Sequence, residues 1–201
     1  MLATASLLLA GCVSFETPVP ESLLTLSPTQ RAPVGMSATA AGAATEDTPG
    51  AIAVLTPEVP AKLDVLRLPV NVSDTEIAYL QDAIWIEKPA RLFRRLLGET
   101  LRVKLTEKSG GIAPLIVDND DTPVLATRFL RGTLSELSYD ASAAQVVVRF
   151  DAIRTDAEGR ATTRRFETRE SVALPEAAEV GPALNRAANA LAGEVADWMA
   201  E

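Results

Sequence analysis

Hydrophobic positions change period along this chain, and the changes mark its elements. Between Gln145 and Ala152 the apolar Val146, Val148, Phe150 and Ala152 alternate with Gln145, Val147, Arg149 and Asp151. This is the two-residue period of a strand with one packed and one wet face. Three such runs, Val124–Tyr139, Ala144–Thr155 and Arg160–Leu174, are separated by turn signals, the sharper being Asp156-Ala157-Glu158-Gly159, and predict an antiparallel meander. In the third run Phe166, Thr168, Glu170, Val172 and Leu174 share one face. Arg164, Arg165, Glu167 and Arg169 crowd around Phe166, as at the edge of a sheet.

Two segments follow the helical period instead. Leu92, Phe93, Leu96, Leu97 and Leu101 recur at helical spacing after Trp85, with Arg91, Arg94 and Arg95 on the other sides. Pro89 sits near the first turn, where a missing N–H costs nothing. Glu176–Glu201 carries a second stripe, Val180, Leu184, Ala187, Ala188, Leu191, Val195, Trp198 and Met199. Strand-like runs precede the first helix at Ala51–Leu55, Leu63–Val70 and Thr75–Leu80. Past Gly110-Gly111, Leu115-Ile116-Val117 reads as a short buried strand before the turn-like Asp118-Asn119-Asp120-Asp121. The order predicts an α+β fold: a two-layer sandwich in which a mainly antiparallel sheet carries two long helices, side by side, on one face.

The N-terminal quarter has neither period. Val13 to about Gly50 is rich in Pro, Ser, Thr, Ala and Gly, with too little apolar area to offset the entropy of ordering it. Ser22-Leu23-Leu24-Thr25-Leu26 interrupts it as a short strand closed by Ser27-Pro28. Val13–Glu21 thus reads as tether, Ser22–Ser27 as a first strand and Pro28–Gly50 as a mobile insertion, the alternative being an unordered 13–50 throughout. Ahead of it, Leu7-Leu8-Leu9-Ala10-Gly11-Cys12 resembles a bacterial lipobox, which implies cleavage before Cys12 and acylation of its thiol. Met1–Gly11 is then a signal peptide, 12–50 the acylated cysteine and tether, and 51–201 the folded domain. The signal is short and has no Lys or Arg before Leu7, where a secretory signal normally runs roughly 15–30 residues from a basic start; translation from upstream of Met1 accounts for that.

Charge and composition narrow the partners. Lys and Arg number 19 against 27 Asp and Glu, a net charge of −8, which disfavours nucleic acid and anionic headgroups over the surface as a whole. Aromatic residues are only 4%, too few for stacking platforms that grip bases. The chain has no histidine, which removes His-dependent triads and His-bearing zinc sites. Its one cysteine lies at the cleavage site, so no thiolate cluster forms in the folded part. Ser109-Gly110-Gly111 lacks the Lys-Ser/Thr of a phosphate loop, and Asp118–Asp121 lacks the glycine and distal Glu of a calcium loop. Glu167 and Glu170 fall on opposite faces of a regular strand, which defeats shared acid–base work. The residues therefore argue against an enzyme, a cofactor or a resident metal.

Leu63-Asp64, the extended segment through Ile77-Ala78-Tyr79 and Trp85-Ile86-Glu87-Lys88-Pro89 leading into the Leu92-Phe93…Leu96-Leu97 helix resemble the ABC-type transport auxiliary lipoprotein family, which includes PqiC-like intermembrane transport lipoproteins. The first strand, meander and C-terminal helix match that family's order, and the lipobox matches its anchor. The Ala/Thr-rich stretch at 36–50 departs from its usual short connection. The resemblance implies an envelope lipoprotein that docks an MCE-domain periplasmic substrate-binding protein, beside an ABC permease and ATPase, in transport of lipids or other hydrophobic compounds. The membrane partner is reached through the acyl anchor, no nucleic acid is involved, and nothing in the sequence forbids a homo-oligomer. Val13 is not the Asp that retains lipoproteins in the inner membrane of many enteric bacteria, so the expected site is the outer membrane, facing the periplasm. Cys12 is the lipidation site, and Tyr79 and Trp85 are weak candidates for binding, with plain core packing the blander role for Trp85. The competing reading is a secreted or anchored small-molecule binding module, or a His-independent enzyme, with a pocket between helices and sheet.

Overall fold

Element boundaries follow the hydrophobic periods closely. The computed structural model describes residues 22–38, 50–110, 114–119 and 126–201. In chain order they form β1 (Ile52–Val54), β2 (Arg67–Ser73), β3 (Glu76–Ile84), α1 (Pro89–Lys108), β4 (Ile116–Val117), β5 (Arg128–Asp140), β6 (Gln145–Thr155), β7 (Ala161–Ser171) and α2 (Ala177–Met199). Pro89 opens α1, as its fixed φ and missing N–H favour. Leu63 ends a short 3-10 turn, Ala61–Leu63, and β2 starts only at Arg67. The strand expected from Leu63 thus begins later, because Pro60 (φ −67°) starts a helical turn instead.

The long β5 is the axis of one seven-stranded sheet. Along one side it pairs antiparallel with β6, and β6 pairs antiparallel with β7, in the meander the alternation predicts. Along the other side β1 lies parallel to its start, Ile52 opposite Arg128, and β2 lies parallel to its end, Val70 opposite Tyr139. A single bridge between Glu58 and Thr133 joins these two contacts. The chain from β1 to β2 therefore behaves as one interrupted strand, bulging out through Ala61–Leu63. β4 extends the sheet beside β1, also parallel, and β3 extends it beside β2, antiparallel. The fold is α+β and the sheet mainly antiparallel, with parallel pairings of β1 to β4 and β5 and of β2 to β5.

Both helices cover one face and their apolar stripes meet the sheet there. Leu92, Phe93, Leu96, Leu97 and Leu101 of α1 are all buried, as is the whole predicted stripe of α2. Phe93 meets Phe150 edge-on at 5.3 Å, and Phe166 meets Trp198 at 5.6 Å. The helices run parallel. Lys104 and Lys108 of α1 reach Asp197 near the end of α2 at 3.6 and 3.2 Å, while Leu24, bridged to Trp85 just before α1, packs on Gly181 near the start of α2. Arg94, placed on the outer side by helical spacing, is 6% exposed. Its Nε donates to the Val54 carbonyl at 2.8 Å and its guanidinium to Thr56 Oγ1 at 2.8 Å, which satisfies the end of β1.

The opposite face of the sheet is polar. Glu167 joins Arg149 and Arg169, and Arg165 joins Asp151, pairs exposed enough to add little stability each. A more enclosed network forms where the bulge crosses β5. Lys62 Nζ donates to both Glu136 carboxylate oxygens at 2.7 and 2.8 Å, and Ser138 Oγ donates to Glu136 at 2.8 Å. Asn71 Nδ2 donates to Ser138 Oγ at 3.0 Å, and Ser138 is fully buried. Burial alone raises the Glu136 carboxyl pKa, but the bonds from Lys62, Ser138 and Asn71 outweigh it and leave the carboxyl below the usual carboxylate range. A depressed folded-state pKa adds stability above the unfolded value, about 4.3, and that contribution is lost as pH falls through the folded value. Glu136→Gln should therefore lower stability at neutral pH by on the order of 1–3 kcal/mol, because Lys62 loses its counter-charge. Thermal melts from pH 7 to pH 3 should show the gap to wild type closing in acid. A gap independent of pH would refute the pairing.

Candidate functional site

The stretch from Leu24 to Ala32 does not hang free of the domain. Ser22–Ser27 forms no regular strand; Leu24 makes one parallel bridge to Trp85, its N–H donating to the Ile84 carbonyl and its carbonyl accepting from Ile86 N–H, at 2.7 and 2.9 Å. Two asparagines one turn apart on α2 then clasp it. Asn185 Oδ1 accepts from Ser27 N–H and Asn189 Oδ1 from Thr29 N–H, each at 2.8 Å, while Asn189 Nδ2 returns a bond to the Ser27 carbonyl at 2.9 Å. Further on, Ala32 N–H donates to Glu99 of α1 at 2.7 Å. Composition placed the start of the domain at Ala51, yet Leu26 is 7% exposed and belongs to the core. Backbone donors that composition leaves to water are here satisfied by side chains of both helices.

Between this strap and α1 lies a groove of about 550 Å³. Leu26, Leu92 and Leu96 give it apolar walls, and Ile86, 60% exposed, stands at its side. Charges of both signs rim it. Arg95 pairs with Glu87, Arg102 pairs with Glu99, and Arg102 also reaches Asp118 at 3.6 Å. An apolar floor with a mixed polar rim suits a folded protein surface better than a small polar substrate. Among the described residues no cluster of three or more Cys, Asp or Glu is arranged to hold a metal ion, and no helix is long and apolar enough to cross a membrane.

The residues singled out by sequence are dispersed. Cys12 lies outside the described residues. Trp85 is 1% exposed, part of the core, and its indole N–H has no hydrogen-bond partner. Tyr79 sits opposite Pro69 on β3 with the Arg67 guanidinium 5.2 Å from its ring centre. The two do not share a pocket, because Trp85 turns into the helix–sheet interval that the core fills. Sequence reasoning missed Ile86, the outward neighbour of Trp85, and the clasp of Asn185 and Asn189. The one available signal was two amides four residues apart in an otherwise alanine-rich helix.

Comparison with known proteins agrees with this layout. The protein XCC0632 from Xanthomonas campestris has a similar solved structure, with a TM-score of 0.65 at 14% identity over 89% of this chain and 95% of that one. An uncharacterized protein of solved structure aligns with a TM-score of 0.61 at 14% identity, over 74% of this chain and 92% of its own. At such identities the likeness is one of fold. No curated protein matches in sequence. The family model described as the ABC-type transport auxiliary lipoprotein component matches residues 34–196, which takes in the whole sheet, all of α1 and most of α2 and begins just after the strap. The chain belongs to the ABC-type transport auxiliary lipoprotein family.

Proposed function

We propose that this protein is anchored by acylated Cys12 in the outer membrane, facing the periplasm, and docks an MCE-domain periplasmic protein of an ABC-type system that moves lipids or other hydrophobic compounds. The family match over residues 34–196 is the observation that carries this reading, since it makes the chain an auxiliary component of ABC-type transport located in the cell envelope. That family is not a class of enzymes, and its member here supplies binding surface. The tether adds proximity by raising the local concentration of the domain near its partner, so recognition falls to folded surface. The groove beside Ile86 is the docking surface we assign, for its apolar floor and its position on the domain.

A soluble form beginning at Val13, which keeps the strap, should capture the purified MCE-domain partner of its own transport system. Exposed charges weaken with salt while an apolar core persists, so capture should fall only partly between low and moderate salt. Ile86→Asp, which puts a charge on the apolar side of the groove, should weaken capture about tenfold or more, equivalent to about 1.4 kcal/mol. No association at either salt concentration, with both proteins folded by circular dichroism, removes the docking role. Capture undiminished by Ile86→Asp moves the docking surface elsewhere.

A further inference from the structure

At the end of the domain remote from the Leu24–Trp85 bridge, the sheet and α2 enclose a second cavity of about 490 Å³. Its lining includes Arg128, Arg154, Thr162 and Met199. Leu130 is paired with Arg154 in the β5–β6 register, so Arg128, two residues before Leu130, is the diagonal neighbour of Arg154 on the helix-covered face. Thr162 pairs with Arg154 from β7, so three donors from three strands converge on one spot. The carboxylates around the cavity are already engaged. Arg160 holds Asp156 at 2.7 Å and Glu158 at 3.5 Å, and Glu201 faces Arg164 at 3.9 Å.

Arg154 is positioned by α2: it stacks on Trp198, 4.7 Å from the ring centre, and donates to the Trp198 carbonyl. Arg128 is different. It is half-buried at the start of β5; its backbone N–H donates to the Ala51 carbonyl at 3.2 Å, and its guanidinium makes no ion pair or hydrogen bond among the described residues. Burial without a counter-charge pushes its pKa below the ordinary guanidinium value. Two guanidiniums on neighbouring strands, one of them without an ion pair among the described residues, with the Thr162 hydroxyl on the far side of Arg154 and a cavity in front, form an arrangement suited to an anion.

We propose that the Arg128–Arg154–Thr162 corner binds a phosphoryl group. A phosphate offers enough oxygens to accept from two forks and a hydroxyl at once, which a single carboxylate does not. Met199 on the α2 side gives the cavity an apolar wall beside the anion position. Free phosphate and a phospholipid headgroup present the same group, and the wall favours the headgroup. The inference stands apart from the docking role: it involves the opposite end of the domain and needs no MCE-domain partner.

The test is isothermal titration calorimetry of the full chain in a phosphate-free detergent, with inorganic phosphate and, separately, soluble dihexanoyl phosphatidic acid as titrants. Wild type should bind at least one, and Arg128→Gln should weaken that binding about tenfold or more, since a charge-assisted bidentate contact is lost. Arg186→Gln, which removes an exposed cation paired with Glu170 away from the cavity, should change it by less than about threefold. If Arg128→Gln does not fold by circular dichroism, Arg128→Lys, which keeps the charge but loses the fork, should still weaken binding about fivefold. Binding of phosphatidic acid alone assigns the site to a lipid headgroup; binding of both titrants with equal affinity assigns it to the phosphate group itself. No heat from either titrant up to millimolar concentration overturns the proposal. Equal binding by wild type and the folded Arg128 variant overturns it too.

Discussion

Gly132→Val should destabilise the domain by about 3 kcal/mol or more, the sum of backbone strain and overpacking at one partly buried position. Gly132 sits in the middle of β5 opposite Ala152, with φ at +157°, a backbone conformation that residues with a side chain rarely adopt. A Cβ there falls 2.1 Å from the backbone oxygen of Asp151 and 2.9 Å from two ring atoms of Phe150. Neither neighbour has room to give. The Asp151 oxygen belongs to a paired strand, and the Phe150 ring is held edge-on against Phe93 in the core. For a domain of this size that cost lowers the thermal midpoint by about 6–12 °C. Gly132→Ala should act in the same direction and by less. Melts followed by circular dichroism decide the matter; midpoints within about 2 °C of wild type for both variants would contradict the crowding at this site.

Cys12→Ser should abolish membrane association altogether. Each buried CH₂ of an acyl chain contributes about 0.8 kcal/mol, so one chain holds a protein only marginally and two or three hold it stably. With the thiol gone there is no site for the first chain. No helix among the described residues offers a second route into the bilayer. The measurement is metabolic labelling with a palmitate analogue, followed by fractionation of membranes on a density gradient. Wild type should carry label and sediment with outer-membrane markers, and the serine variant should be unlabelled and soluble. Equal labelling of both forms would sink the lipoprotein assignment for this cysteine, and label at the inner-membrane density would correct the sorting inferred from Val13.

Much of the fold was legible because it rests on local periodicity. The alternation in Gln145–Ala152 picked out the inner face, and all four predicted inner residues are buried, although Val147, placed on the wet face, is only 4% exposed as well. The stripes of α1 and α2 set which side of each helix meets the sheet. The crowd of charges around Phe166 marked β7 as an edge, and in the structure β7 pairs only with β6. The polar network of Lys62, Asn71, Glu136 and Ser138 was not legible, since its members are scattered over two strands and a turn and meet only where the bulge crosses β5.

What the sequence determined by itself was therefore the set of elements, their order and their buried faces, all properties carried by residues within one turn or one strand of each other. Tertiary structure alone decided that β1 and β2 run parallel to β5, that Asn185 and Asn189 clasp the strap, that Arg94 is buried, and that Arg128 and Arg154 line one cavity. These are contacts between residues far apart in the chain. Their strength depends on geometry fixed by packing the whole core, and hydrophobic period, which records only which way a side chain faces, does not encode which partner it meets.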